Sequence, residues 1–308
     1  MNFLYFLEGL RTPFLDSLFS VITMLGEETV FIVVGILFFW CINKREGYYM
    51  LTVGLVGTVI NQFLKLWFRI PRPWVRDPNF TIVESARAEA TGYSFPSGHT
   101  QSALGTFGSI ARWNKQAWIR IACAVVCVLV PLSRMWLGVH TPADVGVSAL
   151  VAIVLVFGLY PVMHKAMDSK ATMRVLMGLL CAATVGFLLF VYWYPFPADI
   201  DPHNYESGLK NAWKMLGCLS ALWLTYELDT AYTHFDTKAV WWAQVLKFAA
   251  GLIPLLLIKS LLKTPLQNLI GDVYIADGVR YLLITVFAGC VWPLTFRFWS
   301  RLGQKKDA

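Results

Sequence analysis

The run Lys65-Leu66-Trp67-Phe68-Arg69-Ile70-Pro71-Arg72-Pro73 sets a lysine and an arginine seven residues apart at the end of an apolar stretch. Seven residues are two helical turns, so Lys65 and Arg72 share a face, and Pro71 is expected to end the helix and let Arg72 turn back toward Lys65. Two cations then converge on one point. Taken alone, the pair also suits interface anchors that snorkel to lipid headgroups, the role expected for Arg69 and Arg76. A second run, Tyr93-Ser94-Phe95-Pro96-Ser97-Gly98-His99-Thr100, is an extended loop entering the next apolar stretch. The N-terminus of a helix offers unpaired N–H groups and partial positive charge, and Gly98 lets an anion such as phosphate reach that backbone. The plainer alternative makes Ser97 an N-cap and His99 an interfacial histidine.

The third run is Ser133-Arg134-Met135-Trp136-Leu137-Gly138-Val139-His140-Thr141-Pro142-Ala143-Asp144. Thr141 reads as an N-cap and Pro142 as a first-turn residue, which puts Asp144 at the third helical position as half of a capping box. From there its carboxylate can also reach the His140 imidazole, fix the tautomer and leave the other ring nitrogen free to attack.

The elements that must position these runs are apolar. Of the 308 residues, 57% are hydrophobic and the mean hydropathy is +0.56, more apolar surface than a soluble domain of this size uses. Stretches approaching membrane-spanning length are expected at Val30–Ile42, Tyr48–Phe68, His99–Ala111, Ala117–Pro131 and Val145–Met163. A second group follows at Val175–Trp193, Ala212–Tyr226, Val240–Ile258 and Tyr281–Phe298. Phe3–Leu25 is interrupted by Glu8, Arg11, Pro13 and Asp16 and reads either as one poor span or as an interfacial helix followed by a re-entrant one. Nothing at Met1-Asn2-Phe3-Leu4 suggests a cleaved signal peptide.

The formal charge of +7 is scattered between spans rather than gathered on one face, which argues against nucleic acid as a partner. Lys44/Arg45, Arg112/Lys115/Arg120, Lys165/Lys170/Arg174 and Arg301/Lys305/Lys306 fall on one side, the cytoplasm by the positive-inside rule. Asp77, Glu84, Glu89, Asp199, Asp201, Glu206, Asp272 and Asp277 fall opposite, together with all three runs. Cys41, Cys123, Cys127, Cys181, Cys218 and Cys290 lie in or at the ends of spans without regular spacing and read as packing thiols. Trp193–Pro197 reads as an aromatic belt. Lys247 is expected to snorkel or to pair with Glu227, and His164, His203 and His234 to sit in loops. A polar break near Met167–Lys170 divides residues 1–166, which hold every motif, from residues 167–308.

With these three runs on one face, the sequence resembles the type 2 phosphatidic acid phosphatase superfamily, the lipid phosphate phosphatases and vanadium haloperoxidase-like enzymes. That pattern is Lys-x6-Arg-Pro, Pro-Ser-Gly-His and Ser-Arg-x5-His-x3-Asp, and every defining residue is present between Lys65 and Asp144. The resemblance implies an all-α integral membrane protein with a six-segment phosphatase core, here followed by about four additional C-terminal transmembrane helices. It implies that Lys65, Arg72, Ser97, Gly98 and Arg134 hold the phosphoryl oxygens. His140, oriented by Asp144, would attack to give a phosphohistidine, and His99 would protonate the leaving oxygen. His140 must start neutral to attack and His99 protonated to donate. Three cations should depress the His140 pKa while Asp144 pulls the other way, and a bound phosphate dianion favours charged His99, so a bell-shaped pH profile is expected. No metal or other cofactor is expected.

The substrate class is then a phosphomonoester or pyrophosphate of a lipid, such as phosphatidic acid, phosphatidylglycerol phosphate or a polyprenyl pyrophosphate. The site is placed on the external face of a bacterial-type plasma membrane. Alternatives are a lipid phosphotransferase and a soluble sugar-phosphate phosphatase like glucose 6-phosphatase. A haloperoxidase is disfavoured by the spans, and a silent scaffold by the intact histidines.

Overall fold

The computed structural model describes residues 1–88 and 90–302; the expected external-side placement of Glu89 and cytoplasmic placement of Lys305 and Lys306 lie outside the described residues. The described chain is helical, without strands. Its helices are α1 (Asn2–Gly9), α2 (Pro13–Met24), α3 (Glu28–Leu37), α4 (Lys44–Phe68), α5 (Pro73–Arg76), α6 (Gly98–Trp113) and α7 (Ala117–Trp136). They continue as α8 (Pro142–Met167), α9 (Lys170–Trp193), α10 (Pro202–Leu228), α11 (Trp241–Leu261), α12 (Lys263–Ile270), α13 (Val273–Val286) and α14 (Phe296–Arg301).

Six segments are long and apolar enough to cross a membrane: Lys44–Arg76, Ala117–Trp136, Pro142–Met167, Lys170–Trp193, Trp241–Leu261 and Val273–Arg301. A seventh arises if Pro13–Met24 and Glu28–Ile42, bent by 44°, count as one. Helix α8 shows the lipid logic, exposing Leu150, Val154 and Phe157 while burying Val145, Ala152, Val156 and Met163. A helix pairs every internal backbone group within itself, so an apolar exterior costs nothing in hydrocarbon. Besides Val30–Ile42, which counts only when joined to Pro13–Met24, two expected spans fall short of those criteria. The 16 residues of α6 bury Gln101, Thr106 and Ser109, and α10 carries Glu206, Lys210 and Lys214 along its 27 residues.

The chain forms two compact units. The first comprises residues 1–34, 52–162 and 191–208. Here the charges that interrupt the first apolar stretch are spent on the motif loops. Thr81 N–H donates to Glu8 Oε1 at 2.9 Å, Arg11 Nε donates to Trp136 O at 2.9 Å, and Trp136 Nε1 donates to Asp16 Oδ1 at 2.9 Å. Phe19 stacks on the Trp136 ring with centroids 4.6 Å apart. The stretch therefore folds as two short helices rather than one span.

The second unit comprises residues 35–51, 163–190 and 209 onward. A wide helical turn at Phe38–Ile42 buries Phe38, Phe39 and Trp40, and Trp40 Nε1 donates to Ala288 O at 2.7 Å. Lys44 pairs with Asp229 and Arg45 with Asp168, each at 2.7 Å. All six cysteines are free thiols. Four expectations are corrected in this unit or at its edge. Glu227 is taken by Arg174 at 2.7 Å, so Lys247 instead donates to Thr237 O at 3.2 Å and lies 4.3 Å from the Phe296 ring centroid. His164 is helical and sits 2.9 Å from the buried Glu46 carboxylate, and His203 lies in the first turn of α10. Asp277 is buried one turn into α13 against Arg280 at 2.5 Å, because an acid within a membrane-length helix needs a cation beside it.

Candidate active site

Helix α4 stops at Phe68 because Arg69 takes a left-handed conformation, φ 50°, and its guanidinium donates back to Leu66 O at 2.9 Å. The stop therefore comes ahead of Pro71 and not at it, although a residue before proline, here Ile70, is steered out of the helical region. The chain reverses, and Lys65 and Arg72 both turn inward, each 6% exposed. Arg72 donates to Thr91 O at 2.7 Å, Gly92 O at 3.1 Å and Val139 O at 3.0 Å, and Lys65 donates to Tyr93 O. Neither snorkels. Carbonyls of Thr91, Gly92 and Tyr93, at the entry to the second run, and of Val139 in the third clamp the cations of the first.

Ser97 caps α6, its Oγ accepting from Thr100 N–H at 3.4 Å, and its own N–H donates to Asp144 O at 3.2 Å. Gly98 opens the helix, and a Cβ built there would meet nothing within 4 Å. In the third run, Gly138 adopts φ +80°, where a side chain would also press on Arg11 and Phe80. This reversal carries His140 back under Arg72, whose NH1 donates to His140 Nε2 at 3.0 Å. An Nε2 that accepts implies a neutral ring with its proton on Nδ1. The capping box closes as expected: Thr141 N–H donates to Asp144 Oδ2 at 2.7 Å and Asp144 N–H to Thr141 Oγ1 at 3.3 Å.

Burial first, and then the charges of Arg72, Arg134, Lys65 and His99, push the His140 imidazole well below its ordinary range. The expected upward pull of Asp144 does not win. Its Oδ2 lies 3.6 Å from His140 Nδ1, beyond a hydrogen bond, because that oxygen already accepts from Thr141 N–H and, at 2.6 Å, from Ser94 Oγ–H.

Lys65, Arg72, Gly98, His99, Arg134 and His140 line one cavity of about 330 Å³. Ser97 and Asp144 are not in its wall; the first caps a helix and the second supports the histidine loop from behind. Arg134 is buried and donates to Thr23 Oγ1 at 2.8 Å. Among the described residues His99 Nε2 has no hydrogen-bond partner, and no three His, Cys, Asp or Glu gather as metal ligands. The arrangement holds three cations around two imidazoles. Burial first, and then Arg134, Arg72 and Lys65, also push His99 down to about 2, so both rings are neutral until a bound anion offsets the cations.

Residues 45–168 match the PAP2 superfamily, and residues 213–305 match the transmembrane extension of PAP2 superfamily phosphatases. Phosphatidylglycerophosphatase B of Bacillus subtilis (strain 168) is 30% identical over 149 residues, covering 44% of this chain and 69% of that protein. The chain belongs to the PAP2 superfamily. Undecaprenyl-diphosphatase BcrC of Bacillus subtilis (strain 168) is 36% identical over 115 residues, 37% of this chain and 56% of that one. A probable sphingosine-1-phosphate phosphatase of Dictyostelium discoideum is 28% identical over 233 residues, 71% of this chain and 56% of that one. The chain thus spans a little over half the length of the latter two relatives. No solved structure matches significantly.

Two supports of this PAP2 site had no signal in spacing. Ser94 is fully buried, and its hydroxyl bonds a carboxylate 50 positions away. Thr23 holds Arg134 across 111 positions. Ser94→Ala would release Asp144 from one of its two donors and let the carboxylate close on His140 Nδ1. The expected result is a change of about tenfold in kcat with KM little altered, the scale of one charge-assisted hydrogen bond. A kcat equal to wild type would remove Ser94 from the positioning of His140.

Proposed function

We propose that this PAP2 protein is an integral membrane phosphatase acting on a phosphomonoester or pyrophosphate of a lipid. The observation that carries this reading is the convergence of His140 and His99 with Lys65, Arg72 and Arg134 on one cavity. The named relatives act on lipid phosphates, which supports the same class. In the proposed reaction the lone pair of His140 Nε2 attacks phosphorus while Arg72 swings from that nitrogen onto a phosphoryl oxygen. The phosphorus–oxygen ester bond breaks, the leaving oxygen takes the proton of His99, and phosphohistidine remains. Water then attacks phosphorus, the nitrogen–phosphorus bond breaks and His99 receives the proton. Lys65, Arg72, Arg134 and the Gly98 backbone N–H neutralise charge on the equatorial oxygens.

On this reading residues 1–166 are the catalytic part and residues 167–308 an additional membrane region. The site opens on the external face of a plasma membrane, as the lysine and arginine bias indicates. The purified chain in detergent is expected to release phosphate from a panel of lipid phosphates faster than from sugar phosphates, at full rate in excess EDTA. Collapse on chelation, restored by a divalent cation, would overturn the metal-independent mechanism. A sugar-phosphate preference would favour a soluble substrate, and phosphoryl transfer to added alcohol would favour a transferase.

A further inference from the structure

The cavity extends past the phosphoryl seat along α4, where Asn61 lies one helical turn from Lys65 and faces the same space. Gln101, on the first turn of α6, lines it too. The two side chains are 3% and 5% exposed, and among the described residues neither the oxygen nor the nitrogen of either carboxamide has a hydrogen-bond partner. Buried carboxamides are ordinarily bonded, so two unbonded ones lining the same cavity mark a place for a ligand's polar atoms. Gly57 sets this up: a Cβ there would come within 2.6 Å of Gln101 Nε2, so the missing side chain leaves room for that carboxamide one turn from Asn61.

We propose that Asn61 and Gln101 form a subsite for hydroxyl groups on the alcohol portion of the substrate, a glycerol-type group next to the phosphate ester rather than a bare hydrocarbon chain. The inference rests on the phosphatase reading and adds the substrate class. A carboxamide donates and accepts at once, as a hydroxyl does. A prenyl or alkyl chain would leave both carboxamides desolvated and unbonded, a strong basis for rejecting it. A second phosphate would meet Glu27, in the turn between α2 and α3, and Glu28, the first residue of α3, which both line the cavity and suit hydroxyl donors instead. The lining cations, Lys65, Arg72 and Arg134, are those assigned to the reacting phosphoryl group.

The test compares phosphate release from a 1-acylglycerol 3-phosphate, with its free 2-hydroxyl, and from an alkyl phosphate of equal chain length. The full chain in detergent is expected to prefer the hydroxylated substrate in kcat/KM by at least about tenfold. Asn61→Leu with Gln101→Met, near-isosteric and breaking no bond within the protein, should melt no lower than wild type and narrow that preference to within about threefold. Gly57→Ala, which displaces Gln101 while keeping both carboxamides, should narrow it as well. Equal rates on the two substrates in the wild type, an unchanged preference in the double variant, or a lower melting temperature in that variant would each overturn the subsite. Hydrolysis of neither substrate while a polyprenyl diphosphate is hydrolysed would overturn the subsite alone, and hydrolysis of none of the three would overturn the phosphatase reading with it.

Discussion

His140→Ala is expected to bring phosphate release from a lipid phosphate to background, a fall of roughly 10⁴-fold or more, and to abolish acid-labile labelling of the protein. No other group is placed to replace the nucleophile: Nε2 is the imidazole nitrogen that meets Arg72, and His99 is assigned to proton transfer. The variant should still fold, because Arg72 keeps its bonds to the carbonyls of Thr91, Gly92 and Val139. The measurement is single-turnover labelling from a phosphate-labelled substrate, quenched in acid and in base. Phosphohistidine survives base and is lost in acid. Label at the wild-type level in the variant would assign the nucleophile elsewhere. The wild-type pH profile carries a related expectation. A histidine with a lowered pKa is neutral above that value, so burial and the surrounding cations keep His140 ready to attack well into the acid range. The acid limb of kcat/KM should therefore not fall at the ordinary histidine value.

His99→Ala should separate the two chemical steps. An alkoxide leaving group needs a proton as the ester bond breaks, so turnover of a lipid phosphate is expected to drop by about 10²- to 10⁴-fold. A p-nitrophenolate leaves without that proton, so p-nitrophenyl phosphate should still phosphorylate His140. Water would then lack its base, and p-nitrophenol should appear as a burst of about one equivalent per protein, followed by a slow steady rate. Equal losses on both substrates, with no burst, would show that His99 binds phosphate rather than moving a proton. The open Nε2 of His99 in the cavity wall is the feature behind this expectation.

The local parts of the site were legible because they are matters of short spacing. Thr141 and Asp144 cap α8 reciprocally at i and i+3, and Ser97 caps α6 in the same way, as the residue types demand. The apolar runs likewise announced the helices, since an unbroken stretch of such residues has few other ways to satisfy its backbone in lipid. Even the convergence of Lys65, His99, Arg134 and His140 followed from three runs at span ends assigned to one face.

What spacing does not carry is which polar group answers another across tens of residues. Asp144 was expected to bond His140, four positions away, but its oxygen is held by Ser94, 50 positions back, and by its own cap. The interrupting charges of the first apolar stretch looked like defects of a span until Thr81 and Trp136 folded onto Glu8, Arg11 and Asp16. Asn61 and Gln101 were ordinary polar residues within apolar runs, and only the approach of α6 to Gly57 of α4 brings their carboxamides into one cavity. By itself the sequence marked the three runs of residue types suited to phosphoryl chemistry and the capped starts of α6 and α8. Tertiary structure decided which oxygen and nitrogen atoms are already bonded and which are left open, because a hydrogen bond depends on separations of tenths of an ångström that chain spacing does not set.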